Sequence, residues 1–141
     1  MFVDDEQRTR RYFAKLFGKT FRIILAEDGL AGLERFRQYQ DQVGVVVSDE
    51  RMPLECGYVF LKKVAVLKPA AVLLLSTAYR DSEDDADFIY RRIMKPWDVP
   101  DLEVTLRRAM ELYMNRLERD ELLLQQDQDL DEGGSKESLG D

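Results

Sequence analysis

The stretch Val45-Val46-Val47-Ser48-Asp49 constrains this chain most. Three β-branched apolar residues run straight into a carboxylate, with Gly44 before them and the loop Glu50-Arg51-Met52-Pro53 after. A short, wholly apolar run punctuated at both ends is the pattern of a strand buried on both faces, as in a parallel sheet. In open parallel α/β sheets, ligands gather outside the carboxyl ends of the strands, where side chains leave the sheet and converge. Asp49 stands at such an end, so the chemistry is expected there.

The remaining elements fall into place around that strand. Phe2-Val3 before Asp4-Asp5 reads as the end of a first, unusually short strand, and Glu6 to Phe17 as a helix stopped by Gly18. Phe21 to Ala26 is expected as a second strand, followed by a helix carrying Leu30, Leu33 and Phe36 on one face. After the Asp49 loop, Tyr58 to Lys68 predicts a helix ended by Pro69, and Ala71 to Leu75 a fourth strand running into Ser76-Thr77. Ser82-Glu83-Asp84-Asp85 has the form of a capping box, though only about one turn of helix fits before Phe88. Ile89 to Met94 is expected as strand five, leading into Lys95-Pro96-Trp97-Asp98. From Asp98 to about Gln126 runs the longest helical pattern, with Pro100 in its first turn. This organisation divides the chain into a domain over residues 1–112, a helical extension over 113–126 that can form a coiled coil, and an acidic tail over 127–141 with too little to bury to be ordered.

Composition removes several kinds of chemistry. There is no histidine and one cysteine, Cys56, so Ser/His/Asp and Cys/His catalysis, thiolate metal clusters and an internal disulfide are all excluded. A net charge of −7 argues against non-specific binding to nucleic acid. No apolar run approaches the ~20 residues of a membrane span, and Asp4 and Asp5 follow Met1 too closely for a signal peptide, so a cytosolic chain is expected. Cys56 reads as an idle thiol, the acidic run Asp81 to Asp87 as a solvated loop, and Trp97 as packed at a helix start.

Five strands alternating with helices give a three-layer α/β domain. In that register Asp4 and Asp5 end strand one, Asp49 strand three, Thr77 strand four and Lys95 strand five. Three carboxylates gathered on one edge repel one another and call for a cation, and an all-oxygen set suits Mg²⁺, which keeps several waters and binds phosphates. A lysine and a hydroxyl beside it can hold two further oxygens of a phosphoryl group. The set describes a carboxylate nucleophile for phosphoryl transfer.

Val3-Asp4-Asp5-Glu6, Ser48-Asp49 through Met52-Pro53 with Gly57, Ser76-Thr77-Ala78 and Lys95-Pro96-Trp97-Asp98, in this order, resemble the receiver domain of a two-component response regulator over residues 2–112. The resemblance implies a flavodoxin-like (βα)5 sandwich with parallel strand order 2-1-3-4-5. It further implies that Asp49 is the phosphoacceptor, and that Asp5, Asp49 and the backbone carbonyl of Arg51 bind Mg²⁺ directly, with Asp4 acting through water. Thr77 would sense the phosphoryl group, Lys95 would pair with it, and the bond before Pro96 would be cis. The implied phosphoryl donor is a histidine kinase or a histidine phosphotransfer protein, and the implied enzymatic activity is limited to self-phosphorylation and autodephosphorylation.

The chain departs from the family pattern at three places. Strand one lacks most of its residues, the segment between Thr77 and Lys95 is short where the family has its fourth helix, and Arg92 stands where a switching Tyr or Phe is common, with Tyr90 two positions earlier. A receiver working as a docking or dimerising module without regulated phosphorylation therefore stands as a second reading, with a homodimer formed through the C-terminal helix. An aspartyl-phosphate phosphohydrolase stands as a third, weakened because Arg51 occupies the position of its general acid. No output domain is present in these residues.

Overall fold

The computed structural model describes residues 1–78 and 86–138, so the capping-box motif at Ser82 lies outside the described residues. Five parallel strands, β1 (Phe2–Val3), β2 (Leu25–Ala26), β3 (Val45–Asp49), β4 (Val72–Thr77) and β5 (Ile89–Met94), form one sheet in the order β2-β1-β3-β4-β5. The helices are α1 (Gln7–Phe17), α2 (Gly29–Gln38), α3 (Gly57–Leu67) and α4 (Val99–Ser138). Strand order, three layers and long last helix are those expected.

Strand alternation builds the two halves of the core. Val45 and Val47 of β3 and Val72 and Leu74 of β4 face α1 and α4, meeting Phe13, Phe17, Leu102 and Leu106. Their neighbours Val46, Leu73 and Leu75 face α2 and α3, meeting Phe36, Phe60, Leu61 and Val64. Successive side chains of a strand point to opposite faces, so a sheet covered on both sides needs apolar residues at every position. That is why β3 reads as an unbroken apolar run.

Three expectations are corrected. The second strand, expected from Phe21, is only Leu25–Ala26, because this edge strand pairs with β1 alone and β1 offers two residues, Phe2 opposite Leu25 and Val3 opposite Ala26. Leu30 lies off the buried face of α2 and is 72% exposed, while Gly32 turns inward against the Phe60 ring. The last helix does not stop near Gln126; it continues through the expected disordered tail to Ser138. Nucleation is the costly step of helix formation, and the packed first half supplies it, so the polar continuation needs only propagation.

Packing of α4 on the sheet also runs past residue 112. Tyr113 is buried against Gly44, and its hydroxyl accepts a hydrogen bond from Lys68 Nζ at 2.9 Å. One turn on, Arg116 donates to the carbonyl of Ala71 at 3.2 Å and Leu117 packs on the core. Beyond that, Leu122, Leu123, Leu124 and Leu130 are exposed. Among the described residues, no helix is long and apolar enough to cross a membrane.

Candidate functional site

The carboxyl ends of β1, β3, β4 and β5 bring the expected residues together. Asp4, Asp5 and Asp49 each offer a carboxylate oxygen, and these oxygens lie within 4.8 Å of one another. Asp4 and Asp49 are buried, Asp5 is exposed. Lys95 reaches in from the end of β5 with Nζ 2.7 Å from Asp49 Oδ1 and 3.8 Å from Asp4 Oδ2. Thr77 is buried at the end of β4. Arg51 is exposed in the loop after Asp49.

Local hydrogen bonds hold these groups in place. Asp4 Oδ1 accepts from the Glu6 backbone N–H at 2.9 Å, and the Asp4 carbonyl accepts from Arg10 Nη1 at 2.7 Å, which ties the first carboxylate to the start of α1. The Lys95 N–H donates to the Thr77 carbonyl at 2.9 Å, carrying the register of β4 and β5 to the edge of the sheet. The Lys95–Pro96 bond is cis, as the resemblance implies. Trp97 Nε1 donates to Ser76 Oγ at 3.0 Å while its ring meets Phe2, Phe13 and Tyr12, so this tryptophan is packed, as expected. Gly57 sits where its N–H donates to the Glu50 carbonyl at 2.8 Å and a Cβ would fall 2.0 Å from the Asp49 carbonyl oxygen.

Electrostatics favour a further positive charge at this edge. Burial pushes the Asp4 carboxyl up to about 6, against the hydrogen bond from Glu6, with the Asp49 carboxylate adding to the rise. Burial raises Asp49 as well, and Lys95 opposes it. Asp4 Oδ2 is buried without a hydrogen-bond partner. One ammonium among three carboxylates leaves negative charge uncompensated, and the donors are all oxygen, so the set fits a small hard divalent cation such as Mg²⁺.

A pH dependence follows for metal-free protein. The Asp4 carboxyl ionises near 3.8 unperturbed and near 6 when folded, so between these values the folded state holds the extra proton. Its contribution to stability is greatest below the lower value and is lost as pH rises through the upper one. Roughly 2–3 kcal/mol is at stake across that window, since the folded and unfolded chains differ in their hold on one proton. In chelator, Asp4→Asn should therefore gain on the wild type as pH rises from about 4 to about 7. Urea unfolding midpoints measure this; parallel curves would show that Asp4 carries no such burden.

Glu50 and Ser76 are the site residues that sequence reasoning missed. Glu50 accepts a hydrogen bond from the Thr77 hydroxyl, and Ser76 holds Trp97. Both lie inside the motifs quoted above, beside Asp49 and Thr77, but nothing in the sequence gives either a role of its own.

No protein-family model matches the chain. The hydrogenase transcriptional regulatory protein HoxA of Bradyrhizobium diazoefficiens is 32% identical over 121 residues, covering 80% of this chain and 24% of the regulator. The chain thus spans about a quarter of that relative's length. Among solved structures, the signal receiver domain of an HD domain-containing protein from Pseudomonas fluorescens superimposes with a TM-score of 0.77 at 24% identity, over 84% of this chain and 90% of that one. The response regulator TrrA of Thermotoga maritima, solved in complex with Mg²⁺-BeF, gives 0.68 at 23% identity over 77% and 95%. With the strand order, the carboxylate cluster and the lysine at the end of β5 already in place, these likenesses show that the chain belongs to the response-regulator receiver domains.

Proposed function

We propose that this domain takes a phosphoryl group onto Asp49 from a phosphohistidine donor and uses the modification to switch protein-protein interactions. The observation that carries this reading is Lys95 Nζ 2.7 Å from Asp49 Oδ1, beside the Asp4 and Asp5 carboxylates. An Asp49 carboxylate oxygen attacks phosphorus, the phosphorus–nitrogen bond to the donor imidazole breaks, and the nitrogen keeps the electron pair. Lys95 then pairs with a phosphoryl oxygen in a site sheltered enough for that charge pair to matter. Thr77 offers its hydroxyl to another. Asp5, Asp49 and the Arg51 carbonyl would hold Mg²⁺, with Asp4 acting through water, and the ion would offset phosphoryl charge. The carboxylate cluster and the Mg²⁺-BeF complex of TrrA support a Mg²⁺ ion at this edge.

The donor would be a histidine kinase or a histidine phosphotransfer protein. α1 and the turn after it present Arg8, Arg11, Lys15, Lys19 and Arg22 as exposed cations, and a negatively charged partner surface would complement them. We place the chain in the cytosol, turning over no external substrate, since Arg51 cannot serve as the general acid of a phosphohydrolase. The exposed leucines of the outer half of α4 support a homodimer through that helix. Sedimentation equilibrium should then show self-association that Leu123→Glu weakens by roughly tenfold or more, and a monomer at all concentrations would rule it out.

Intact mass after incubation with acetyl phosphate tests the main reading. With Mg²⁺ one phosphoryl group should add; with EDTA in its place, none. A folded protein that gains nothing in either buffer would favour a phosphorylation-independent docking module, the reading suggested by Arg92 at the usual switch position.

A further inference from the structure

Glu50, the residue after Asp49, is restrained at both ends of its backbone. Its N–H donates to the Ser76 carbonyl at 2.9 Å and its carbonyl accepts from the Gly57 N–H at 2.8 Å. Its side chain bridges to the neighbouring strand, where Oε2 accepts the proton of the Thr77 hydroxyl. Thr77 is 1% exposed, so bulk water offers this hydroxyl little alternative. A hydroxyl has one proton to donate, and an ionised carboxylate only accepts. For Thr77 to donate to an oxygen of a phosphoryl group on Asp49, it must let go of Glu50.

We propose that Glu50 is a positioning residue that holds Thr77 in the unphosphorylated arrangement, competing with the phosphoryl oxygens for the Thr77 proton. The inference rests on the phosphoacceptor reading of Asp49. Glu50 then sets how far the equilibrium must be pulled to reach the phosphorylated arrangement, because binding at Asp49 has to repay the broken hydrogen bond. The restraint runs between strands: Glu50 is placed by β3 and its loop, Thr77 by β4, and the two strands are locked in register with Asp49 opposite Ser76.

The test is a double-mutant cycle with Mg²⁺ and beryllium fluoride as the phosphoryl stand-in, read as a dissociation constant by titration calorimetry. Glu50→Ala should bind the stand-in roughly 3- to 10-fold more tightly than the wild type, the span expected for release from one hydrogen bond. Glu50→Gln keeps an acceptor for Thr77 but loses the charge, and should lie between the two. The decisive comparison uses Thr77→Val. If Glu50 acts through Thr77, Glu50→Ala has no effect in the Thr77→Val background. If it acts only through its charge, the gain persists there at full size and the proposal fails. An unchanged constant in both Glu50 variants also overturns it, and leaves the phosphoacceptor reading standing because the wild type binds. A folded wild type that binds no stand-in removes that reading and the proposal together. Should Glu50→Ala fail to fold, Glu50→Gln alone and with Thr77→Val decides by the same comparison.

Discussion

Replacing Asp49 with asparagine should abolish phosphoryl uptake and leave the fold intact. The amide nitrogen is no nucleophile and the amide oxygen carries no charge to attack phosphorus, so no added mass is expected with Mg²⁺ and acetyl phosphate. Fold stability should change little, because the substitution keeps the shape of a side chain that is almost wholly buried. It removes one of the mutually repelling carboxylates, though it also takes from Lys95 its 2.7 Å partner. These effects oppose each other, and a net change within about 1 kcal/mol in either direction is expected in urea unfolding. A variant that still gained one phosphoryl group would show that another side chain is the acceptor.

Gly57→Ala should be the most damaging substitution in the loop that follows. The new methyl would sit 2.0 Å from the Asp49 carbonyl oxygen and 2.9 Å from Ser48 Oγ. The obstacle is backbone in β3, whose Asp49 is in register with Ser76 of β4, so it cannot yield cheaply. The start of α3 has to move instead, at a cost of about 1–3 kcal/mol. The shift also displaces the Asp49–Gly57 loop, and a misplacement of about 1 Å can slow a reaction ~100-fold. Gly44→Ala is the control, because its methyl meets the Tyr113 ring, at the opposite end of β3 from Asp49. It should lower the urea midpoint comparably and spare the rate of phosphoryl uptake. Equal rate losses in both variants would mean that instability alone explains the effect of Gly57→Ala.

The legible part of this molecule is the part governed by local pattern. β3 and β4 are read easily because a strand covered on both faces has to be apolar throughout, and the polar residues that end them stand out as Asp49 and Thr77. Lys95 and the paired acids follow once strand ends are aligned. What the sequence hides is set by distant partners. Phe21 to Ile24 have strand composition and do not form one, since β1 has no residues to pair with them. Leu30 obeys a helical spacing, but the sheet takes Gly32 and Phe36 instead. Glu50 and Thr77 are 27 positions apart, and no periodicity links an acid in one loop to a hydroxyl at the end of another strand.

The reach of α4 would give a phosphorylated site a mechanical outlet. Its 40 residues amount to a rod about 60 Å long at ~1.5 Å per residue. Its root follows Lys95, Pro96 and Trp97, two of which touch the site residues or their immediate neighbours. Packing holds its first half to the sheet as far as Leu117, so only residues 118–138, a length of about 30 Å, are free to swing, and a tilt of about 10° where that packing ends would move the far end by about 5 Å. A small change of angle there would be geared up into a displacement of about one strand spacing, roughly 5 Å.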